Sequence, residues 1–219
     1  MRTWTIGRIG AACGVAFLAL NIVGNALPGS PPGTDDTEAK IASFFHDHHR
    51  AVVWGAILTG LAAPFFLGLL TALALRLRQA GLGSAAAAVF GLGTAGITIG
   101  VVSDGLYGAL ARIGEQENAA FAKSAYEIDG FLAAKSFWFA AAVAVVAGWS
   151  ARRVLPQWWA VVSVAAAVLL AIGGASLRAK GFFAPLGGMS GIAFLALLIW
   201  VLATCFVLWR EPVVIPAPA

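Results

Sequence analysis

The chain is dominated by long apolar runs, and they recur at intervals short enough to leave little else. Six are read: Ile6–Leu27, Ala51–Leu75, Ser84–Leu110, Gly130–Trp149, Pro156–Leu177 and Met189–Trp209. Each reaches or exceeds the ~20 residues that a helix needs to cross a hydrocarbon core of about 30 Å at 1.5 Å per residue. In lipid every backbone amide must find its partner within the protein, which leaves helices and closed barrels as spanning structures. The runs are rich in Ala, Gly, Val and Leu and lack the alternating polarity of barrel strands, so they are helices. Composition agrees: 60% of residues are hydrophobic and 11% charged, against about 25% charged in soluble domains. The expected fold is all-α, a polytopic bundle of six transmembrane helices in one domain over residues 1–211. A proline-rich tail, 212–219, is expected to be disordered.

Lys and Arg between the runs set the orientation. With the N-terminus inside, Arg2, Arg8, Arg76, Arg78, Arg152, Arg153 and Arg210 lie in the cytoplasm, against Lys40, Arg50, Arg112, Lys123, Arg178 and Lys180 outside. The compact pairs Arg76/Arg78 and Arg152/Arg153 sit at helix ends in short loops, where the rule is strongest, and they favour N-in/C-in. Asp35, Asp36, Glu38, Asp47, Glu115, Glu117 and Glu127 all then fall outside. The net charge of +4 reflects helix-end anchoring, and no basic stripe interleaved with aromatics suggests nucleic acid. The expected location is the inner (plasma) membrane of a bacterium, with the lipid bilayer as partner. A signal-peptide reading of the first run, cleaved near Gly24-Asn25-Ala26, is set aside because the run is long and Asn21 and Asn25 interrupt its end.

Two ionisable residues lie inside spans. Ser84, Ala88, Leu92, Gly96, Gly100, Asp104 and Gly108 step by four along one helical face, so Asp104 belongs to a row of small residues that points into the bundle. Lys135 lies about one and a half turns inside the fourth span. If the two helices are antiparallel, both residues sit about 9 Å below the same surface. An acid and a base at matched depth are expected to pair, since either alone costs several kcal/mol in hydrocarbon. Tyr107, one turn beyond Asp104, is a candidate hydrogen-bond partner for it, and Asp129 is expected to cap the fourth helix. Asp104, Lys135, Tyr107 and Asp129 form a candidate polar pocket. Two readings stay open: an ion pair that fixes helix register, or a functional site.

The longest loop, Pro28–Arg50, begins with a proline- and glycine-rich stretch and continues into a short amphipathic helix over about 34–49. Its Ile41, Phe44 and Phe45 are expected to lie on the membrane interface. It ends in His46-Asp47-His48-His49-Arg50, which holds all three histidines of the chain. His46 and His49, three apart, suit two ligands of one metal or a haem, with Asp47 in support. No matching Cys pair or HExxH motif accompanies them, and a solvated helix junction at the membrane boundary is the simpler account. No cofactor is otherwise expected.

Other features are structural. Gly10 and Gly14 form a small-xxx-small pair. Asn21 and Asn25 suit inter-helix hydrogen bonds. Pro64 is expected to bend the second span, and Trp149, Trp158 and Trp159 to mark an interfacial belt. Cys13 and Cys205 read as small apolar residues. The chain shows no phosphate-binding loop, nucleophile elbow or inverted repeat.

The Gly-rich first span, the apolar span ending Leu73-Ala74-Leu75-Arg76-Leu77-Arg78-Gln79-Ala80 and the small-residue third span together resemble a family of uncharacterised actinobacterial membrane proteins, domain of unknown function 4386. The resemblance implies a six-helix membrane protein and carries no activity, cofactor or site. For function the sequence leaves a scaffold or accessory subunit, packing against other membrane proteins or a second copy through glycine-rich faces. The alternative is an outward-facing ligand handler, a transporter or metal/haem carrier, with a polar cup. An enzyme is a third, weaker option: acids and histidines on one side permit proton transfer, but no catalytic geometry is evident.

Overall fold

A computed structural model describes residues 5–114, 119–176 and 181–210. Arg2, Glu115, Glu117, Leu177, Arg178, Lys180 and the tail lie outside the described residues. Seven helices follow in order: α1 (Ile6–Ala26), α2 (Glu38–Asp47), α3 (His49–Gln79), α4 (Gly83–Gly114), α5 (Ala119–Ala151), α6 (Gln157–Gly174) and α7 (Gly188–Arg210). All but α2 are long and apolar enough to cross a membrane. The protein is an integral, multi-pass helical membrane bundle.

The six spans close a ring in which α1 packs on α3, α3 on α4, α4 on α5, α5 on α6, α6 on α7, and α7 back on α1. The α3–α4 and α5–α6 connections are tight turns. The α3–α4 turn shows how the sequence makes one. Gly81 adopts φ +78°, the left-handed conformation that a side chain resists. The Leu82 and Gly81 amides then close on the Leu77 and Arg78 carbonyls at 3.0 Å each, and the helix stops in a Schellman turn. Small residues set the distance between helices. A Cβ on Gly10 would overlap the Ala72 Cβ, and one on Gly24 would lie 2.9 Å from the Gly55 carbonyl oxygen, so α1 and α3 are nearly in backbone contact. The small-xxx-small pair of α1 is used inside the bundle: Gly14 abuts Cys205 of α7.

One face of the bundle carries α2 and the α6–α7 loop; the other carries the α3–α4 and α5–α6 turns. On the first, three expectations are corrected. The fourth span begins at Ala119 rather than near Gly130. Ala122, Ala125, Tyr126 and Asp129 are buried while Phe121, Ser124 and Ile128 are exposed, a helical period that the polar composition of this stretch conceals. Asp129 therefore lies three turns inside α5 and caps nothing. Nor does α2 rest on lipid. Thr37 caps it, its hydroxyl accepting from the Lys40 amide at 3.4 Å, and Ile41 and Phe45 are wholly buried against Val52, Leu110 and Tyr126.

The loops around α2 are latched to the spans. The Tyr126 hydroxyl donates to the Pro32 carbonyl at 2.8 Å, and the buried Thr34 hydroxyl to that of Pro185 at 3.2 Å. The Lys40 ammonium, 2.8 Å from Asp36, holds that carboxyl below the usual carboxylate range.

On the other face, Trp149 and Trp158 are exposed, as a belt requires, but Trp159 is fully buried and its Nε1 donates to Thr204 of α7 at 3.2 Å. Pro64 lies on an exposed side of an unbroken α3 and lines no cavity.

Candidate functional site

The ring of spans is not filled. A cavity of about 340 Å³ lies among α1, α3, α4, α5 and α7. Pro31 and Leu186, from the two latched loops, line its end toward α2. Below them the walls are polar: Asn21 and Asn25 of α1, Thr59 of α3, Ser103 and Asp104 of α4, Ser136 of α5 and Ser190 of α7. Deeper, one to two turns along the same helices, the lining becomes aromatic and aliphatic. Phe17 of α1 and Phe66 of α3 meet with ring centroids 4.8 Å apart, joined by Phe137, Phe194 and Leu197. The gradient follows the order of residues along α1, α3, α4 and α7, polar toward α2 and apolar toward the bundle centre, while on α5 Ser136 and Phe137 are adjacent.

Glycine gives the cavity its width. Gly100 and Gly191 line it, and a Cβ on either would meet nothing within 4 Å. Gly96, also in the lining, is different: a Cβ there would lie 2.8 Å from that of Phe139. The row of four-spaced small residues on α4 therefore serves two purposes, close packing at Gly96 and open space at Gly100.

Asp104 sits in this wall near Thr59 of α3. Thr59 is itself 3.1 Å from the Gly55 carbonyl. Among the described residues no Lys, Arg or His lines the cavity. Asp129 is buried one helix away, and the Ser103 hydroxyl donates to its carboxylate and, at 3.2 Å, to its carbonyl. Asp104 and Asp129 are close enough for their charges to act on each other. The site holds two neighbouring carboxyls, Asp104 in the cavity wall and Asp129 held by Ser103 behind it.

The expected Asp104–Lys135 ion pair is not present among the described residues. Lys135 donates to the Gly174 carbonyl at 3.2 Å, at the C-terminus of α6, and its ammonium stands 3.8 Å from the Trp138 ring centroid. Both contacts suit a cation: the last carbonyls of a helix carry partial negative charge, and so does an aromatic face. The cause of the difference is depth as well as azimuth: Ser103 meets Asp129 and Gly96 meets Phe139, so Lys135 stands about two turns from the level of Asp104. Six residues separate Asp129 from Lys135, about 600° of helical rotation at 3.6 residues per turn, so the two point a third of a turn apart. Asp129 looks toward α4 and Lys135 toward α6.

Tyr107 does not bond Asp104 either. It joins an aromatic cluster beneath α2, with Phe45 at 5.4 Å between centroids and Tyr126 at 6.4 Å. The four residues of the expected pocket thus separate into a cavity acid, a buried acid beside it, an aromatic support for α2 and a cation on the α5–α6 seam.

His46 and His49 fall on different helices, because the chain breaks at His48 between α2 and α3. His49 turns its Nδ1 to the His46 carbonyl at 3.3 Å, and His48 stacks on Phe44 at 4.7 Å. Among the described residues no three His, Cys, Asp or Glu side chains come together as a metal-donor set. Asn21 and Asn25 bond back to their own helix, to the Phe17 and Asn21 carbonyls at 3.2 and 2.9 Å, rather than across to another.

Thr59, Ser136 and Ser190 escape a reading of the sequence because single hydroxyls in apolar runs usually bond to their own backbone. Ser190 does not: its hydroxyl is buried with no hydrogen-bond partner. The four phenylalanines carry no sequence signal, since most phenylalanines in such a chain face lipid or core. Comparison with family models, with curated proteins and with solved structures finds no match.

Proposed function

We propose that this membrane protein is a ligand handler, a carrier or transporter, and that it takes a small apolar molecule with a cationic head into the cavity. The observation that carries the reading is the cavity's one-signed lining: Asp104 at the polar end, Asp129 behind it, no basic side chain in the wall, and phenylalanines below. A carboxylate in hydrocarbon costs several kcal/mol without a counter-charge. A ligand ammonium supplies one, and aromatic walls favour a cation and its apolar body alike. The volume falls at the small end of ligand pockets, which span about 300–1,000 Å³. Ser190 and the two asparagines add donors and acceptors for orientation.

The scaffold reading draws on glycine-rich faces. In this bundle Gly10, Gly14, Gly24, Gly96, Gly148 and Gly173 are already occupied by neighbouring helices of the same chain, so the closest-packing glycine faces serve the bundle itself. The resemblance to the family of unknown function carries no ligand, so the proposal rests on the cavity. With N-in/C-in topology, favoured by the arginine pairs at the α3–α4 and α5–α6 turns, the α2 end of the cavity faces the outside of a bacterial inner membrane.

The test is ligand-induced thermal stabilisation of protein in nanodiscs, with a hydrophobic primary amine beside the alcohol and the carboxylate of the same chain. The amine is expected to stabilise and the carboxylate not to. Asp104→Asn is expected to weaken amine binding about thirtyfold, the loss of one charged hydrogen bond of ~2 kcal/mol. Equal binding of all three probes, or an amine response untouched by the substitution, overturns the proposal.

A further inference from the structure

A second pocket, independent of the cavity, opens on the outer wall of the ring where α3 begins and α4 ends. It measures about 250 Å³ and is lined by His49, Arg50, Val53, Trp54, Ala111 and Arg112. The two arginines are 62 positions apart in the chain, and helix packing brings them together. Gly108 lets α4 close on α3, a Cβ there lying 3.0 Å from that of Ala56. That close approach is one turn before Arg112 and about a turn and a half beyond Arg50, so both guanidinium groups reach the same groove.

Two like charges on facing helices repel unless an anion lies between them. Among the described residues no acidic side chain lines the pocket, and neither arginine has an ion-pair partner. The backbone adds to the imbalance, since His48 gives α3 no side-chain cap and the first amides of α3 carry partial positive charge. His49 turns its Nδ1 away to the His46 carbonyl, which leaves the two guanidinium groups to face the pocket.

Position selects the anion. Arg50 precedes the apolar run of α3 and Arg112 ends that of α4, so both stand at the edge of the hydrocarbon. Trp54, one turn deeper, is 60% exposed, an indole at the depth where headgroups meet acyl chains. Val53 and the buried Ala111 complete an apolar back wall. We infer that this pocket binds the phosphate of an anionic phospholipid, with Arg50 and Arg112 as a paired clamp and Trp54 against the upper acyl chain. Guanidinium groups hold phosphate through parallel N–H···O bonds.

The experiment is native mass spectrometry of protein extracted from vesicles of equal parts phosphatidylglycerol and phosphatidylcholine, counting retained lipid. The wild type is expected to retain phosphatidylglycerol preferentially. Arg50→Gln with Arg112→Gln is expected to lower that preference about thirtyfold, roughly fivefold for each cation at the surface. Arg152→Gln with Arg153→Gln removes the same charge at the opposite face and is expected to leave the preference unchanged. Retention in the first double variant equal to wild type overturns the inference. An equal loss in the second also does so, because bulk charge would then explain the binding. Displacement of the lipid by millimolar inorganic phosphate overturns the lipid as the source of the anion.

Discussion

The seam between α6 and α7 and the space enclosed by the other spans contain the same kinds of residue and come out opposite. On the seam, Trp200 donates to the Ser163 hydroxyl at 3.0 Å, Trp159 to Thr204 at 3.2 Å, and Thr204 in turn to the Trp200 carbonyl at 2.8 Å. Ser163, Thr204 and both indoles are buried. Every donor has an acceptor at the right height, and glycines such as Gly173, against Ala193, let the backbones close. Across the ring, Asp104 and Asp129 bring acceptors that the helices do not fully answer, Ser190 keeps an unpartnered hydroxyl, and Gly100 and Gly191 face open space. Polarity inside a bilayer shuts a seam when its donors and acceptors balance. Where they do not, it leaves room for a molecule that supplies what is missing.

The sharpest way to break this comparison is to make one substitution at both kinds of glycine. Gly173→Val places its Cβ onto Ala193 and forces α6 and α7 apart. An overpacking cost of about 1–3 kcal/mol or more is expected, read as a lower thermal midpoint and a poorer yield of monodisperse protein. Gly100→Val meets only the cavity. Its stability is expected to stay within about 0.5 kcal/mol of wild type, with any gain in helix propensity over glycine offsetting loss elsewhere, while amine binding disappears. Equal destabilisation at the two sites would mean that the cavity is not open.

Next in size is the seam's hydrogen bonding. Ser163→Ala leaves the buried Trp200 indole without its acceptor, and about 1 kcal/mol is expected, in the range of intramembrane hydrogen bonds. Ser190→Ala removes a hydroxyl that has no partner, so the stability of the empty protein is expected to hold. Reversible unfolding in mild detergent and denaturant would separate the two. A loss at Ser190 as large as at Ser163 would contradict the contrast drawn between seam and cavity.

How much of this was legible in the sequence follows from which coordinate of a helix the sequence encodes. Hydropathy reports position along the membrane normal, and so the six spans are legible directly, but the depth of Lys135 is not: Ser103 meets Asp129 and Gly96 meets Phe139, so Lys135 lies about two turns from the level of Asp104. Hydropathy also does not report which neighbour a face meets. Asp104 was read as inward-facing from its small-residue row, and it lines the cavity. Lys135 had no such row, and its partner proved to be a helix end and an indole on α6. The same limit explains α2: Ile41 and Phe45 form an apolar face that suits lipid and protein alike, and only the position of Tyr126 and Leu110 decides for protein. Trp159 looks like Trp158 by composition, yet it is buried because Thr204 stands opposite. The cavity itself is a property of five helices at once, and no one span contains it.

The smallest effect tests the latch outside the spans. The Lys40 ammonium lowers the Asp36 carboxyl through its hydrogen bond, with burial acting against it and the Gly33 amide adding to it. A carboxyl whose folded value is depressed stabilises the folded state above its unfolded value, near 3.8, and loses that contribution as pH falls through the folded value. Asp36→Asn is therefore expected to differ slightly from wild type at neutral pH, and the difference should vanish once the pH has fallen below the folded value, where both side chains are neutral. Asp36 is exposed to solvent, so salt should diminish the difference as well. Hydrogen exchange at the amides of α2 is the measurement, because Asp36 also accepts from Gly33 at 2.9 Å and its backbone carbonyl receives Lys123 of α5 at 3.2 Å. A pH-independent difference would show that the Asn side chain disturbs the turn itself. In that case the loop holds its place over the cavity through Thr34 and Tyr126, and charge contributes nothing.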